Sequence, residues 1–508
     1  MTKNELRAKA VNVLTSEKLE NIVEMVLFSP EPGVFEAHAN DGSVMFERPG
    51  CDDPLKPKII ETQGRDPLSD QDVSRFSTLA LQREFRCPKR TENSYPYSYD
   101  HVAQIWDHEH APDLIAIHTA AHSFLDEGGH LGEHGSLDIL QARAPFILSG
   151  KGVKKAGVIN SHVRLVDVAP SVAYILGASQ TGGMLSDGNY SGSSYLKRQD
   201  GKVLSEWFQE TERPDNVVIF LLDGCNPNIL YDVVEQGGAP NISRLMANGT
   251  TFSYGAISSL PTVTLANHTT ILTGCHPAHH GVLHNAWFDR KKMIQIVTES
   301  PGTWHLAMDY LNPETETIFE CLNRYNRDIT TAAINEPADK GATYSTFEEV
   351  RKGRMAEIIA QSGIDASVPK DTTNQYFESS QDYRWATTAD HAGLAQAIGL
   401  IRRNWDNLKL DRPKFMSVNF SLTDSAFHDS GPDSDMGRAA VRDTDARIGK
   451  ILRAFEIESE FDQTLFIVLA DHGMEETNPN VTGSWIKALK DASIDVANDS
   501  FGFLYLNS

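Results

Sequence analysis

Three short apolar runs, each ending at or just before an aspartate, constrain the fold of this chain more than any other feature. Residues 216–222, NVVIFLL, stop at Asp223-Gly224; residues 465–470, LFIVLA, stop at Asp471-His472; residues 415–420, FMSVNF, lead to Asp424. Short, mostly apolar runs rich in β-branched and aromatic residues read as strands buried on both faces of a parallel sheet. DLIAI at 113–117 and PFIL at 145–148 are two further candidates. Helical segments fall between them, as in PNISRLMANG, where Pro240 opens a short helix and Gly249 stops it. Alternation of strands and helices predicts an α/β sandwich with a central, mostly parallel sheet flanked by helices. Such sheets bind ligands at the carboxyl ends of their strands, where the three aspartates stand.

With 508 residues, the chain is expected to form one large α/β domain with insertions, or two to three domains. Its formal charge of −23 argues against a nucleic-acid polymer as partner, since that affinity needs Lys and Arg to displace counterions from phosphates. A small phosphate ester would bind only where metal ions reverse the local field. The opening MTKNELRAKAVNVL is too polar for a signal peptide, and no window approaches a membrane-spanning apolar length, so a soluble, cytoplasmic protein without a membrane partner is expected. Cys51, Cys87, Cys225, Cys275 and Cys321 are scattered without a CxxC. Neither a disulfide framework nor a thiolate zinc site follows from them. A metal would therefore use oxygen and imidazole ligands, and nothing in the sequence sets the oligomeric state.

Asp471-His472 offers an oxygen and a nitrogen ligand side by side at a strand end, a mixed set that suits zinc and is compatible with iron or manganese. A strand-end aspartate alone also suits an Asx-turn. Asp424 and His428 share i,i+4 spacing, which puts them on one face of a helix. Thr264, in PTVTLANHTTILTG, is a poor nucleophile unless a cation lowers the pKa of its hydroxyl, and the residues after it suit a helix whose N-terminus would face a phosphoryl oxygen. On its own it reads as a helix cap. The seventh ligand type, His134 in GEHGSLDILQARAPFILSG, lies upstream of all the others, with His130 as a competitor. His118 and His122 in HTAAH overlap a strand and read as structural or substrate-side residues.

PTVTLANHTTILTGCHPAHHGVLHN resembles the nucleophile segment of the nucleotide pyrophosphatase/phosphodiesterases, in the alkaline phosphatase superfamily. LLDG, D-x-x-x-H and ADHGM fit the same family in order, and HGSLDILQARAPFILSGKG resembles its terminal HG segment. The resemblance implies that Thr264 attacks phosphorus and that Asn285 donates to the phosphoryl oxygen. It implies two divalent metal ions, zinc first: one on Asp223, Thr264, Asp471 and His472, the other on Asp424, His428 and His134. It also implies a hydrolase cleaving phosphodiester or pyrophosphate bonds through a phospho-threonine intermediate, acting on a small phosphate ester or phosphonate.

Some residues depart from the family. Leu265 stands where nucleotide-cleaving members often carry an aromatic, and Val263 replaces a common lysine. A phosphonate hydrolase of the phosphonoacetate type is the alternative, with Arg290, Lys291 and Lys292 as candidate cations for a substrate carboxylate. A catalytically silent phosphate- or metal-binding protein is the non-enzymatic alternative, against which the full ligand set argues. CHPAH is similar to the sulfatase C-x-P-x-R segment, but Cys275 follows the LTG and His279 replaces the arginine.

In the family the segment bearing the last histidine follows the DHG strand, so placing residues 1–210 after Ser508 would restore the order. A circular permutant is therefore expected. Residues 1–177 would be the sequence-displaced end of the catalytic domain, 178–211 a Gly/Ser-rich linker, and 212–508 its main part, with a cap or insertion at about 286–412.

Overall fold

A computed structural model describes residues 2–50, 53–124, 129–300, 302–363, 381–405 and 408–507. Its centre is an eight-stranded sheet in the order Tyr344–Ser345, Thr331–Ile334, Phe415–Phe420, Asn216–Leu222, Thr464–Leu469, Phe146–Gly150, Gly249–Phe252, Gly157–Ile159. Strand Asn216–Leu222 pairs in parallel with both Phe415–Phe420 and Thr464–Leu469. Phe146–Gly150 runs antiparallel to both its neighbours, Thr464–Leu469 and Gly249–Phe252, and the remaining pairings are parallel. The sheet is thus mostly parallel, with one reversed strand. Every residue of Asn216–Leu222, Phe415–Phe420 and Thr464–Leu469 is buried, which is why these runs lack alternation. Helices Pro227–Glu235, Pro240–Ala247, Gln381–Ile401 and Asp435–Ile457 bury residues in the same core as the sheet, among them Ile229, Leu245, Ala397 and Ile448. No helix among the described residues is long and apolar enough to cross a membrane.

The run at 113–117 does form a strand, Leu114–His118, but in a second sheet. That sheet has seven strands, all antiparallel, in the order Val496–Ser500, Phe503–Leu506, Leu114–His118, Val23–Glu31, Val34–Ala39, Gly42–Glu47, Lys58–Gly64. Both sheets therefore draw strands from either side of the Gly/Ser-rich stretch. Helix Lys3–Leu14 packs beside helix Trp485–Asp491, with Lys9 Nζ donating to Ala492 O.

Two stretches differ from expectation. The Gly/Ser-rich segment forms a small hairpin, Gly183–Met184 with Tyr190–Ser191, and the residues after it bury Leu196, Leu204 and Phe208 in the main core. Asp200 accepts from the His276 amide and contacts His279 Nδ1. The stretch 286–412, expected as a cap, supplies two strands of the central sheet, Thr331–Ile334 and Tyr344–Ser345. Those strands are only four and two residues long, TAAI and YS, which leaves little periodic signal. Residues 301, 364–380 and 406–407 of that stretch, and Cys51 among the cysteines, lie outside the described residues. The other four cysteines are free, and Cys225, Cys275 and Cys321 are buried.

Candidate metal centre and nucleophile

Asp223 and Asp471 leave the carboxyl ends of adjacent strands, while Asp424 sits in the first turn of helix Leu422–Ser430, directly after the third. Gly224 lets them approach: its φ is +61°, and a Cβ there would stand 2.5 Å from Asp424 Oδ1. The Gly224 amide donates to Asp471 Oδ1 at 3.0 Å. Ser258 Oγ donates to Asp471 O at 2.7 Å, and Thr423 Oγ1 donates to Asp223 O at 2.5 Å, which fixes the backbone beneath the carboxylates.

Three histidines complete the cluster, and each points the same kind of atom inward. Nδ1 of His134 bonds Thr262 O, that of His428 bonds Gly132 O and that of His472 bonds Gly473 O, each at 2.8 Å. A carbonyl accepts from Nδ1–H, so each Nε2 is left as a lone-pair donor, the arrangement found around metal-ligating imidazoles. His134 arrives on a loop pinned to the nucleophile segment, since Thr262 Oγ1 accepts from Gly135 N at 2.9 Å. Its ring stacks on His472 with centroids 3.8 Å apart.

The ligand atoms of His134, Asp424 and His428 lie within 4.8 Å of one another, as do those of Asp223, Asp424 and His472. His472 Nε2 is 3.1 Å from Asp471 Oδ2 and 3.4 Å from Thr264 Oγ1. His130 forms a separate group with Glu133 and His428, its Nδ1 2.9 Å from Glu133 Oε1. Asp424 groups with His134 and not with His130. His118 Nδ1 lies 3.0 Å from Thr119 O, and His122 packs on Phe124 and Trp485.

Asp223 Oδ1, Asp424 Oδ1 and Asp471 Oδ2 are buried without a hydrogen-bond partner, which is costly for carboxylates unless a cation meets them. Burial, then Asp223, raises the carboxyls of Asp424 and Asp471 well above the usual range. Burial pushes His134 and His428 down and His472 down to about 4, so the imidazoles are neutral at pH 7. Bare carboxylate oxygens converging with bare neutral imidazoles are a donor set that fits divalent cations.

Thr264 is the first residue of helix Thr264–Thr273 and the only one of that helix that is not buried. Val263, the residue before it, offers no capping side chain, and the Leu265 amide donates instead to Asn285 Oδ1 at 3.0 Å. Cys275 lies at the far end of the helix, about 15 Å from Thr264 at ~1.5 Å per residue, so it belongs to the core and not to the site.

Sequence reasoning missed His268, one helical turn beyond Thr264. Its Nδ1 is 2.9 Å from Glu336 Oε1, and its Nε2 is 3.6 Å from Asp223 Oδ2 and 3.8 Å from Asp471 Oδ2. Burial works against its charge, but Glu336 and Asp223 outweigh it and hold His268 well above the ordinary value. The signal was available: Glu336 follows strand Thr331–Ile334 by two residues, the strand-then-acid pattern seen three times elsewhere. The structure does not bring Arg290, Lys291 and Lys292 to the site as free cations: they pair with Asp113, Glu109 and Asp289.

Residues 217–506 match the sequence model of the family described as type I phosphodiesterase / nucleotide pyrophosphatase. The chain belongs to this family, within the alkaline phosphatase superfamily. Among curated phosphodiesterase relatives, an uncharacterized pyrophosphatase/phosphodiesterase of Schizosaccharomyces pombe is 22% identical over 272 residues, 52% of this chain and 46% of that protein. Ectonucleotide pyrophosphatase/phosphodiesterase family member 3 of Rattus norvegicus is 26% identical over 53% of this chain and 26% of its own length. Alkaline phosphatase PafA of Elizabethkingia meningoseptica is 33% identical over 51% of this chain and 60% of its own length. The chain thus spans less than half the length of the first two relatives. Solved structures similar to it include murine ectonucleotide pyrophosphatase / phosphodiesterase 5 in complex with AMP, with 21% identity, a TM-score of 0.35, and coverage of 51% of this chain and 57% of that one. Phosphonoacetate hydrolase from Sinorhizobium meliloti 1021 has 17% identity, a TM-score of 0.34, and coverage of 58% and 60%. The phosphodiesterase family match begins at residue 217, so His134 lies outside it and joins the cluster through the fold.

Proposed function

We propose that this protein is a two-metal hydrolase that cleaves phosphodiester or pyrophosphate bonds of small substrates through a phospho-threonine intermediate on Thr264. The observation that carries the reading is the convergence of unpartnered carboxylate oxygens and inward-facing imidazole Nε2 atoms on Thr264, the one residue of its helix that is not buried. Asp223, Asp471, His472 and Thr264 would hold one ion and Asp424, His428 and His134 the other, with zinc favoured by the mixed oxygen and nitrogen donors. When bound, the ions would supply Lewis acidity toward the phosphoryl oxygens and lower the pKa of a hydroxyl beside them.

The protein's own groups do the rest. Thr264 Oγ1 attacks phosphorus in line, and the leaving oxygen departs from the opposite face. Leu265 N holds Asn285 through Oδ1, so Nδ2 of that carboxamide is the donor offered to a phosphoryl oxygen. The N-terminus of helix Thr264–Thr273 adds a positive potential where negative charge develops. Water then displaces Thr264 from the side of His134, Asp424 and His428, and two in-line displacements give net retention at phosphorus. The test pairs metal analysis with turnover of bis-p-nitrophenyl phosphate, p-nitrophenyl phosphate and phosphonoacetate. Wild type is expected to prefer the diester, and Thr264→Ala to lose at least about a thousandfold in kcat at unchanged metal content. Full activity in the variant would remove Thr264 as nucleophile.

We also propose that residues 1–177 are the sequence-displaced end of the same catalytic domain. Strand Phe146–Gly150 lies between Thr464–Leu469 and Gly249–Phe252, and His134 Nε2 is 3.9 Å from Asp424 Oδ1; both observations support a circular permutation.

A further inference from the structure

The helix that presents Asp424 and His428 does not cap itself. Ser421 precedes its first residue with helical backbone angles, φ −87° and ψ −4°, and its side chain makes no capping bond. The cap comes from another helix. Asp390, on Gln381–Ile401, is fully buried, and its carboxylate meets the turn between strand Phe415–Phe420 and helix Leu422–Ser430. Asp390 Oδ1 accepts from Ser421 N at 2.8 Å and from Ser421 Oγ at 3.2 Å, while Oδ2 accepts from Leu422 N at 3.3 Å. Burial pushes this carboxyl up to about 6, with Arg447 and the Ser421 and Leu422 amides holding it down, so it is mostly ionised at pH 7. A buried negative charge on the first amides of a helix is a strong form of capping. Its own position is fixed from the other side: Asn335 Nδ2 donates to Ala389 O at 2.9 Å, and a Cβ on Gly393 would stand 2.5 Å from that same nitrogen. Apolar anchoring is slight at this contact, where Leu422 and Ala426 share a small cluster with Tyr383, Ala386 and Ala440.

We propose that Asp390 is a positioning residue: by capping this helix from outside it places Asp424 and His428, and so sets the affinity of the ion site they share with His134. This rests on the two-ion reading above. Leu422 lies two residues before Asp424 in the same helix, so movement at the cap carries Asp424 with it, and His428 one turn further on. The ligands of the other ion stand elsewhere. Asp223, Asp471 and His472 follow other strands of the central sheet, and Thr264 opens a separate helix, so loss of the cap acts on one site and spares the other. Groups that orient metal ligands through hydrogen bonds are worth about tenfold to a hundredfold in metal affinity.

The experiment compares wild type, Asp390→Asn, Asp390→Leu and a core control, Ile448→Ala, whose side chain is fully buried on helix Asp435–Ile457. Calorimetric zinc titration of the metal-stripped proteins reads the two affinities, and hydrogen exchange of the same stripped proteins reads the amides of residues 421–428. Asp390→Asn, which keeps one acceptor, is expected to weaken one ion about tenfold, and Asp390→Leu, which keeps none, about a hundredfold, with the other ion within about threefold of wild type. In His134→Ala, which removes a ligand of the affected site, adding Asp390→Asn should leave the remaining ion unchanged. Exchange should quicken at residues 421–428 in both Asp390 variants, while Ile448→Ala lowers the urea midpoint and leaves both zinc affinities as they were. Equal weakening of the two ions, the same weakening in Ile448→Ala, or unchanged exchange at 421–428 overturns the proposal. If wild type binds fewer than two ions, the two-ion reading fails, and the exchange comparison alone then decides whether Asp390 holds the helix.

Discussion

Glu24 shows how much a single buried group can set. It lies on strand Val23–Glu31, with Oε1 accepting from Tyr95 OH at 2.8 Å and Oε2 without a partner. Burial, then Asp138, pushes its carboxyl up to about 8. The folded chain thus keeps this proton to near pH 8, whereas the unfolded chain loses it near pH 4.5, so stability falls as pH rises through that window. Glu24→Gln keeps an acceptor for Tyr95 and removes the titration. Urea unfolding should find the variant more stable than wild type at pH 8 by on the order of 1–3 kcal/mol, and nearly equal at pH 4.5. Residue chemistry of the other kind was legible in the sequence: Asp223, Thr264, Asp424, His428, Asp471, His472 and His134 announce themselves by ligand type and context, and the fold brings them together. Glu24 did not, because an isolated Glu in a sequence carries no sign of what will surround it.

The strand-then-aspartate pattern foretold the middle of the central sheet because strands buried on both faces admit no polar alternation. It could not foretell direction. PFIL reads the same way whether it runs with or against its neighbours, and the structure reverses it. Leu114–His118 has the same composition as the central strands yet joins the other sheet, a choice made by packing and not by local propensity. The turn after Asn216–Leu222 gives the sharpest element-level expectation. Gly224→Ala adds a Cβ that would stand 2.5 Å from Asp424 Oδ1 at a left-handed backbone position, so the helix carrying Asp424 and His428 must move. Metal analysis of the purified variant should fall from about two ions per chain toward one, since the site of His134, Asp424 and His428 is displaced first.

At the scale of the whole molecule, two sheets are each assembled from both sides of residues 178–211. Neither 1–211 nor 212–508 holds a complete sheet: the first lacks Thr464–Leu469 and Phe503–Leu506, and the second lacks Phe146–Gly150 and Leu114–His118. Expressed alone, each piece should be insoluble or show no cooperative unfolding, while co-expression should give a soluble heterodimer. A stable, monomeric 1–211 piece would count against the shared-domain proposal. The reversed strand Phe146–Gly150 has a consequence in time as well as in space. Gly249–Phe252 can pair with one edge of it early, but the partner of its other edge, Thr464–Leu469, is synthesised roughly 300 residues later, so at about 5–20 residues per second the ribosome leaves that edge unpaired for ~15–60 s. During that interval nascent-chain binding factors, rather than the native sheet, must shield Phe146–Gly150, and slowing translation should increase aggregation of this protein.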